Sequence, residues 1–125
     1  MRVIRDPDSI LPRRNTILAI GVFDGVHVAH RAIIKSAIRQ ARRIHGIAAV
    51  MTFWPHPRRY KSLYSLEHRL RILEHLGIDE CIIIPFTRGF AAMSPRAFVS
   101  KMICGRVKAS SVYVGENFRF GKNAA

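Results

Sequence analysis

The run Gly21-Val22-Phe23-Asp24-Gly25-Val26-His27-Val28-Ala29-His30 concentrates residue types that do chemistry on phosphates. Two glycines, an aspartate and two histidines fall between an apolar run, Thr16 to Ile20, and a helical pattern that begins near residue 28. Histidines at i and i+3 share one face of a first helical turn, so both imidazoles can reach one phosphate group. The first amides of a helix lack partners within it and favour an anion. In open α/β sheets the carboxyl end of a strand is where ligands sit. The segment therefore reads as a nucleotide site. Isolated glycines at a strand end would be ordinary turn residues; it is the combined Phe-Asp-Gly-x-His-x-x-His that carries the reading. The histidine pair has no Cys, His or acidic neighbour beyond Asp24, which leaves it short of a metal-ligand set.

Two further segments follow apolar runs. His56 lies between Pro55 and Pro57 in the turn Trp54-Pro55-His56-Pro57 that follows the apolar run Ile47 to Phe53, where two prolines end any strand ladder. Asn117 with Phe118 and Phe120 follows Ser111 to Val114. An amide between aromatic residues suits a planar heterocycle, by hydrogen bond and stacking. Leaving a parallel strand at its carboxyl end, this segment should face the same crevice as His27 and His30. Each also has a plain structural reading: a tight turn for His56, a turn for Asn117 and core packing for the aromatic pair. His45, His68 and His75 fall on helix surfaces or ends.

The elements that must position these residues alternate along the chain. Strands are expected at about 16–22, 47–53, 81–85 and 111–114, after a polar lead-in to residue 15 that packs on the sheet edge. Between them, the 3.6-residue period gives a helix at about 28–44, with Ile33, Ile34, Ala37, Ile38, Ala41 and Ile44 inward and Gly46 as its C-cap. A second helix runs from about 66 to 76, with Ser65 as N-cap and Gly77 as its stop. A third starts at Ser94-Pro95 and turns Phe98, Val99, Met102 and Ile103 to the core. This order predicts an α/β fold, a Rossmann-like open parallel sheet.

With 125 residues, 49% of them hydrophobic, the chain suits one domain with its own core. Cys81 and Cys104 lack a paired metal spacing and read as buried, reduced thiols, which fits a cytoplasmic protein. No apolar run approaches the ~18 residues that span a bilayer, and the N-terminus lacks the apolar stretch of a secretory signal, so no membrane partner is expected. The 21 Lys+Arg against 8 Asp+Glu, a formal +13, favour polyanionic ligands. However, Arg31, Lys35, Arg39, Arg42 and Arg43 form a solvated helix face without the interleaved aromatics of a single-strand binder. Nucleic acid is not the expected partner.

Taken together, these residues resemble the N-terminal FMN adenylyltransferase module of the prokaryotic bifunctional riboflavin kinase/FAD synthetase family. The resemblance rests on Ala19 to His30, Thr52 to Pro57, Leu73 to Asp79, Pro85 to Thr87, Met93 to Val99 and Val114 to Lys122; the His-x-x-His alone would indicate only the wider nucleotidyltransferase superfamily. It implies one nucleotidyltransferase domain over 1–125 that transfers AMP from ATP, with Mg²⁺, to FMN, giving FAD and pyrophosphate. It implies His27 and His30 as catalytic residues, and Gly21, Phe23, Asp24 and Gly25 beside them in ATP binding. Pro55, His56, Pro57, Asn117, Phe118 and Phe120 would line the flavin side. Two departures stand out: Ala29 replaces the glycine the family usually carries between the histidines, and weaker activity is expected. The chain also stops at Ala125, before the family's Ser/Thr-rich segment with its catalytic arginine and before the riboflavin kinase domain. A truncated domain, incomplete at its C-terminus, is therefore expected. The alternatives are a nucleotidyltransferase acting on another small phosphate, and a non-catalytic nucleotide- or nucleic-acid-binding remnant.

Overall fold

The computed structural model describes residues 1–11, 15–23, 28–54, 65–85 and 87–114. Within them, β1 (Arg2–Ile4), β2 (Thr16–Ile20), β3 (Ile47–Trp54), β4 (Glu80–Pro85) and β5 (Ala109–Val114) form a sheet in the order β1-β4-β3-β2-β5. Every pairing is parallel. A parallel sheet must be covered on both faces, which is why its inner strands read as unbroken apolar runs. Ile17, Ala19, Val50, Cys81 and Ile83 pack with α1 (Val28–Arg43) and α2 (Leu66–Leu76) on one face. Their neighbours in sequence, Leu18, Ile20, Met51, Ile82 and Ile84, pack on the other face. There they meet α4 (Pro95–Phe98) and the π-helical turns Val99–Val107, which follow the short α3 (Arg88–Ala91).

The expected caps are in place. Ser65 Oγ accepts from the His68 amide, and Ser94 Oγ from the Ala97 amide. Gly77, at φ 107°, ends α2 with its own amide bonded to Glu74 and that of Ile78 to Leu73, a Schellman closure. In α1 the same closure puts His45, not Gly46, in the left-handed position, with φ 54°. Gly46 is required for another reason. A Cβ there would stand 1.9 Å from the Asn15 carbonyl oxygen, which already accepts from the Ile47 amide.

Three further expectations are corrected. The lead-in lies on the sheet edge as expected, but its residues Arg2–Ile4 form a strand, β1, paired with β4 through Arg2↔Glu80 to Ile4↔Ile82. Val99 is exposed at 47%, because the wider π-helical wind carries Met102, Ile103 and Val107 to the sheet instead. Cys104 is exposed, and only Cys81 is buried; burial pushes the Cys81 thiol up to about 12 despite the charge of Arg69, which acts in the opposite direction. The basic row Arg31, Lys35, Arg39, Arg42 and Arg43 is exposed along α1, as expected. No helix among the described residues is long and apolar enough to cross a membrane.

At the amino end of the sheet Asp79 ties three elements together. Its carboxylate accepts both guanidinium nitrogens of Arg42, at 2.8 and 3.0 Å, and the Ala48 amide at 2.9 Å. Arg42 also donates to the Gly77 carbonyl at 3.0 Å. Partial burial pulls the Asp79 carboxyl upward, but the hydrogen bonds from Arg42 and Ala48 and the Arg42 charge outweigh it and hold the carboxyl below its ordinary value. Such a group stabilises the fold above its unfolded value, roughly 4, and the stabilisation drains away as pH falls through the folded value. Asp79→Asn is therefore expected to lose about 1 kcal/mol at pH 7, since the pair is half solvated, which is a few degrees in Tm. Thermal unfolding followed by circular dichroism should show the gap between the two proteins closing below about pH 4.

Candidate active site

The carboxyl ends of three adjacent strands define the candidate site. β2 ends at Ile20, which lies opposite Met51 of β3 on one side and Val114 of β5 on the other. The strand order runs outward from β2 through β3 to β4, and then returns to place β5 on the opposite side of β2. The crevice between β2 and β5 is thus the switch point at which ligands bind in open α/β sheets. All three segments singled out from the sequence continue from these ends: 21–30 from β2, 55–57 from β3 and 117–120 from β5. Asp24, Gly25, His27, Pro55, His56, Pro57, Asn117, Phe118 and Phe120 lie outside the described residues. Gly21, Phe23 and His30 lie within them.

Those three form one stack. Phe23 is 1% exposed and belongs to the core cluster under α1 and α2, yet its backbone has φ 55°. A bulky residue in the left-handed region is strained, and such residues gather where a turn must aim something. Here the Phe23 ring meets the His30 imidazole edge to face, with 5.2 Å between centroids and planes at 88°. Gly21 makes room for this. A Cβ on Gly21 would lie 2.9 Å from two atoms of the Phe23 ring. The glycine is thus explained by the aromatic ring it seats. His30 occupies the first turn of α1, which carries no acidic residue to offset the positive end of the helix dipole.

β3 holds the turn in place. The Gly21 amide donates to the Met51 carbonyl at 3.1 Å, and the Thr52 hydroxyl donates to the Val22 carbonyl at 2.6 Å. Behind Thr52 stands Arg69, fully buried on the inner face of α2. Its Nη1 donates to Thr52 Oγ1 at 3.1 Å and to the Phe53 carbonyl at 3.3 Å, and its guanidinium carbon lies 5.5 Å from the centre of the Trp54 ring. The sequence reading missed Arg69 as a member of the site. The available signal was its position on the apolar stripe Leu66, Leu73, Leu76, where a charge is out of place.

A separate open groove of about 360 Å³ is lined by Arg31, His68, Arg71, Ile72, His75 and Leu76 of α1 and α2. It draws on helix faces and not on strand ends, so it is not the crevice described above. Among the described residues no three His, Cys, Asp or Glu side chains are grouped so as to hold a metal ion.

Residues 10–125 match the FAD synthetase family. The chain belongs to that family. The bifunctional riboflavin kinase/FMN adenylyltransferase of Escherichia coli K12 is 32% identical over 130 residues, covering 97% of this chain and 42% of that protein. The enzymes of the same name from Listeria monocytogenes and Bacillus subtilis are 34% and 33% identical, over 86% of this chain and 37% and 36% of theirs. This FAD synthetase-family chain thus spans about two fifths of the length of the relatives it matches. A crystal structure of a macrolide-efflux protein from Streptococcus pneumoniae aligns with a TM-score of 0.84 over 98% of this chain and 43% of its own, at 23% identity. That likeness shows a shared fold.

The Gly21–Phe23–His30 stack can be tested without any substrate. Gly21→Ala is expected to displace the Phe23 ring, to cost about 1–3 kcal/mol by overpacking, and to move the His30 ring-proton resonances in the NMR spectrum. Unshifted His30 resonances in a folded variant would show that the ring stands apart from Phe23.

Proposed function

We propose that this chain is an adenylyl-transfer module that moves AMP from ATP to FMN, giving FAD and pyrophosphate. The observation that supports this best is that β5, β2 and β3, the strands that the three chemistry-bearing segments follow in sequence, are parallel neighbours with adjacent carboxyl ends, in a chain of the FAD synthetase family. In this reading an oxygen of the FMN phosphate attacks the α-phosphorus of ATP, the bond to the bridging oxygen breaks, and pyrophosphate leaves. The reaction needs alignment and charge neutralisation more than covalent help from the protein. His27, His30 and the first amides of α1 bind the ATP phosphates and stabilise the charge that grows on pyrophosphate. Phe23 acts from beneath by orienting His30, with Gly21 giving it room; Asp24 and Gly25 shape the nucleotide pocket. Pro55, His56, Pro57, Asn117, Phe118 and Phe120 line the flavin side.

Mg²⁺ enters this scheme with ATP. The described residues offer no cage of carboxylates and imidazoles, and a magnesium ion commonly keeps its waters and is held largely by substrate phosphates. The relatives' names also state a riboflavin kinase activity; we assign to residues 1–125 only the adenylyl transfer. A cytoplasmic setting fits the need for ATP and the two free cysteines.

The test is FAD formation from FMN and Mg-ATP, followed by chromatography, on a sample whose fold is checked by circular dichroism. His27→Ala and His30→Ala are each expected to lower the rate about 10²-fold or more. Equal rates in the wild type and in both variants would remove the histidines from the mechanism. A folded wild-type chain that makes no FAD would overturn the proposal for these residues.

A further inference from the structure

Arg69 is a charged side chain with no exposure, on a helix face made otherwise of leucines. Removing a guanidinium from water is costly unless hydrogen bonds hold it, and a hydrophobic residue would fill such a place more cheaply. What the arginine supplies here is direction. The Val22 carbonyl can only accept, so the one proton of the Thr52 hydroxyl is committed to it at 2.6 Å. The oxygen of Thr52 must then accept in turn, and Arg69, which has donors only, is the partner that enforces this. The chain from Arg69 through Thr52 to Val22 O therefore runs one way.

It ends on the peptide that joins Val22 to Phe23, the residue with φ 55° whose ring meets His30. Together with the Gly21 amide on Met51, it fixes the strained turn at two consecutive residues from a single strand. The same guanidinium also holds the end of that strand, through the Phe53 carbonyl and the face of Trp54. We infer that Arg69 is a positioning residue that acts through Thr52, setting the turn that aims His30 and the strand end that leads to the flavin side in one rigid unit. This inference rests on the adenylyl-transfer reading, and no substrate contact is assigned to Arg69.

The experiment uses the 125-residue chain and the variants Thr52→Val, Thr52→Ser and Arg69→Lys, with two readouts. The first is kcat and KM for ATP and FMN in FAD formation. Thr52→Val keeps the shape and removes the hydroxyl; kcat should fall about tenfold or more, because misalignment costs rate, while both KM values stay within about threefold. Thr52→Ser, which keeps the hydroxyl, should hold kcat within about threefold. Arg69→Lys should do likewise, since an ammonium can still donate to Thr52 Oγ1 and Phe53 O. The second readout needs no activity: amide exchange in the segment 21–23 should quicken about tenfold in Thr52→Val and not in Thr52→Ser, with β2 and β3 unchanged. Unaltered exchange in Thr52→Val would overturn the tether. Faster exchange with wild-type kcat would overturn the positioning role. Should Thr52→Val fail to fold, Thr52→Ala, which also lacks the hydroxyl, decides by the same two readouts: unaltered exchange at 21–23, or faster exchange with wild-type kcat, contradicts the inference. A folded wild type that forms no FAD overturns the functional reading and the positioning role with it, and the exchange data still decide whether the tether exists.

Discussion

Everything at the carboxyl end of this sheet depends on how the chain leaves β2. That strand is buried along its whole length between β3 and β5, with helices on one face and the π-helical turns on the other. A chain emerging from such a place meets packed side chains at its first step. The solution is a turn in which Gly21 has no side chain, Phe23 takes a left-handed backbone, and its ring fills the space the glycine leaves. The strain at Phe23 is of the order of 1–3 kcal/mol, and hydrogen bonds from β3 and apolar burial of the ring offset it. The His30 ring is set by that packing.

The two ends of the sheet are braced in different ways. At the amino end, Arg42 and Asp79 form a bidentate pair that is about half exposed. Water screens it, and its contribution lies mostly in satisfying the Ala48 amide and the Gly77 carbonyl, where three segments meet. At the carboxyl end, Arg69 and Thr52 are wholly buried, where a hydrogen bond is stronger and its loss costs more. The stiffer brace lies at the carboxyl ends of the strands. In an open α/β sheet that is the end where sub-ångström placement matters.

Much of this was legible in the sequence because it is local. Ser65, Ser94 and Gly77 cap as their types demand, and the apolar runs of β2, β3 and β4 announce a sheet buried on both faces. What escaped was set by distance or by a change of period. The three residues of β1 have no pattern of their own and are a strand only because β4 offers an edge. Val99 was placed on the assumption of a 3.6-residue helix, which the chain abandons after Phe98, and Cys104 on the tendency of free thiols to be buried. Gly46 looked like a cap, and it is instead a clearance for Asn15, a residue on another segment. In the site, the strand-to-helix junction was visible, and Gly21, Phe23 and His30 were singled out there, but their packing into one stack was not. The tie from Arg69 to Val22 joins residues far apart in sequence, and no spacing rule contains it.

Trp54 is the only tryptophan in the chain, and it stands at the last position of β3 under the Arg69 guanidinium. An indole's emission responds to the charge and hydration next to it. The molecule therefore carries its own optical gauge at the carboxyl end of β3, in a protein with no second indole to blur the signal. Whatever enters beside β3, or loosens the arginine behind it, is read in the colour and yield of that one fluorophore, with no label to disturb the packing it measures.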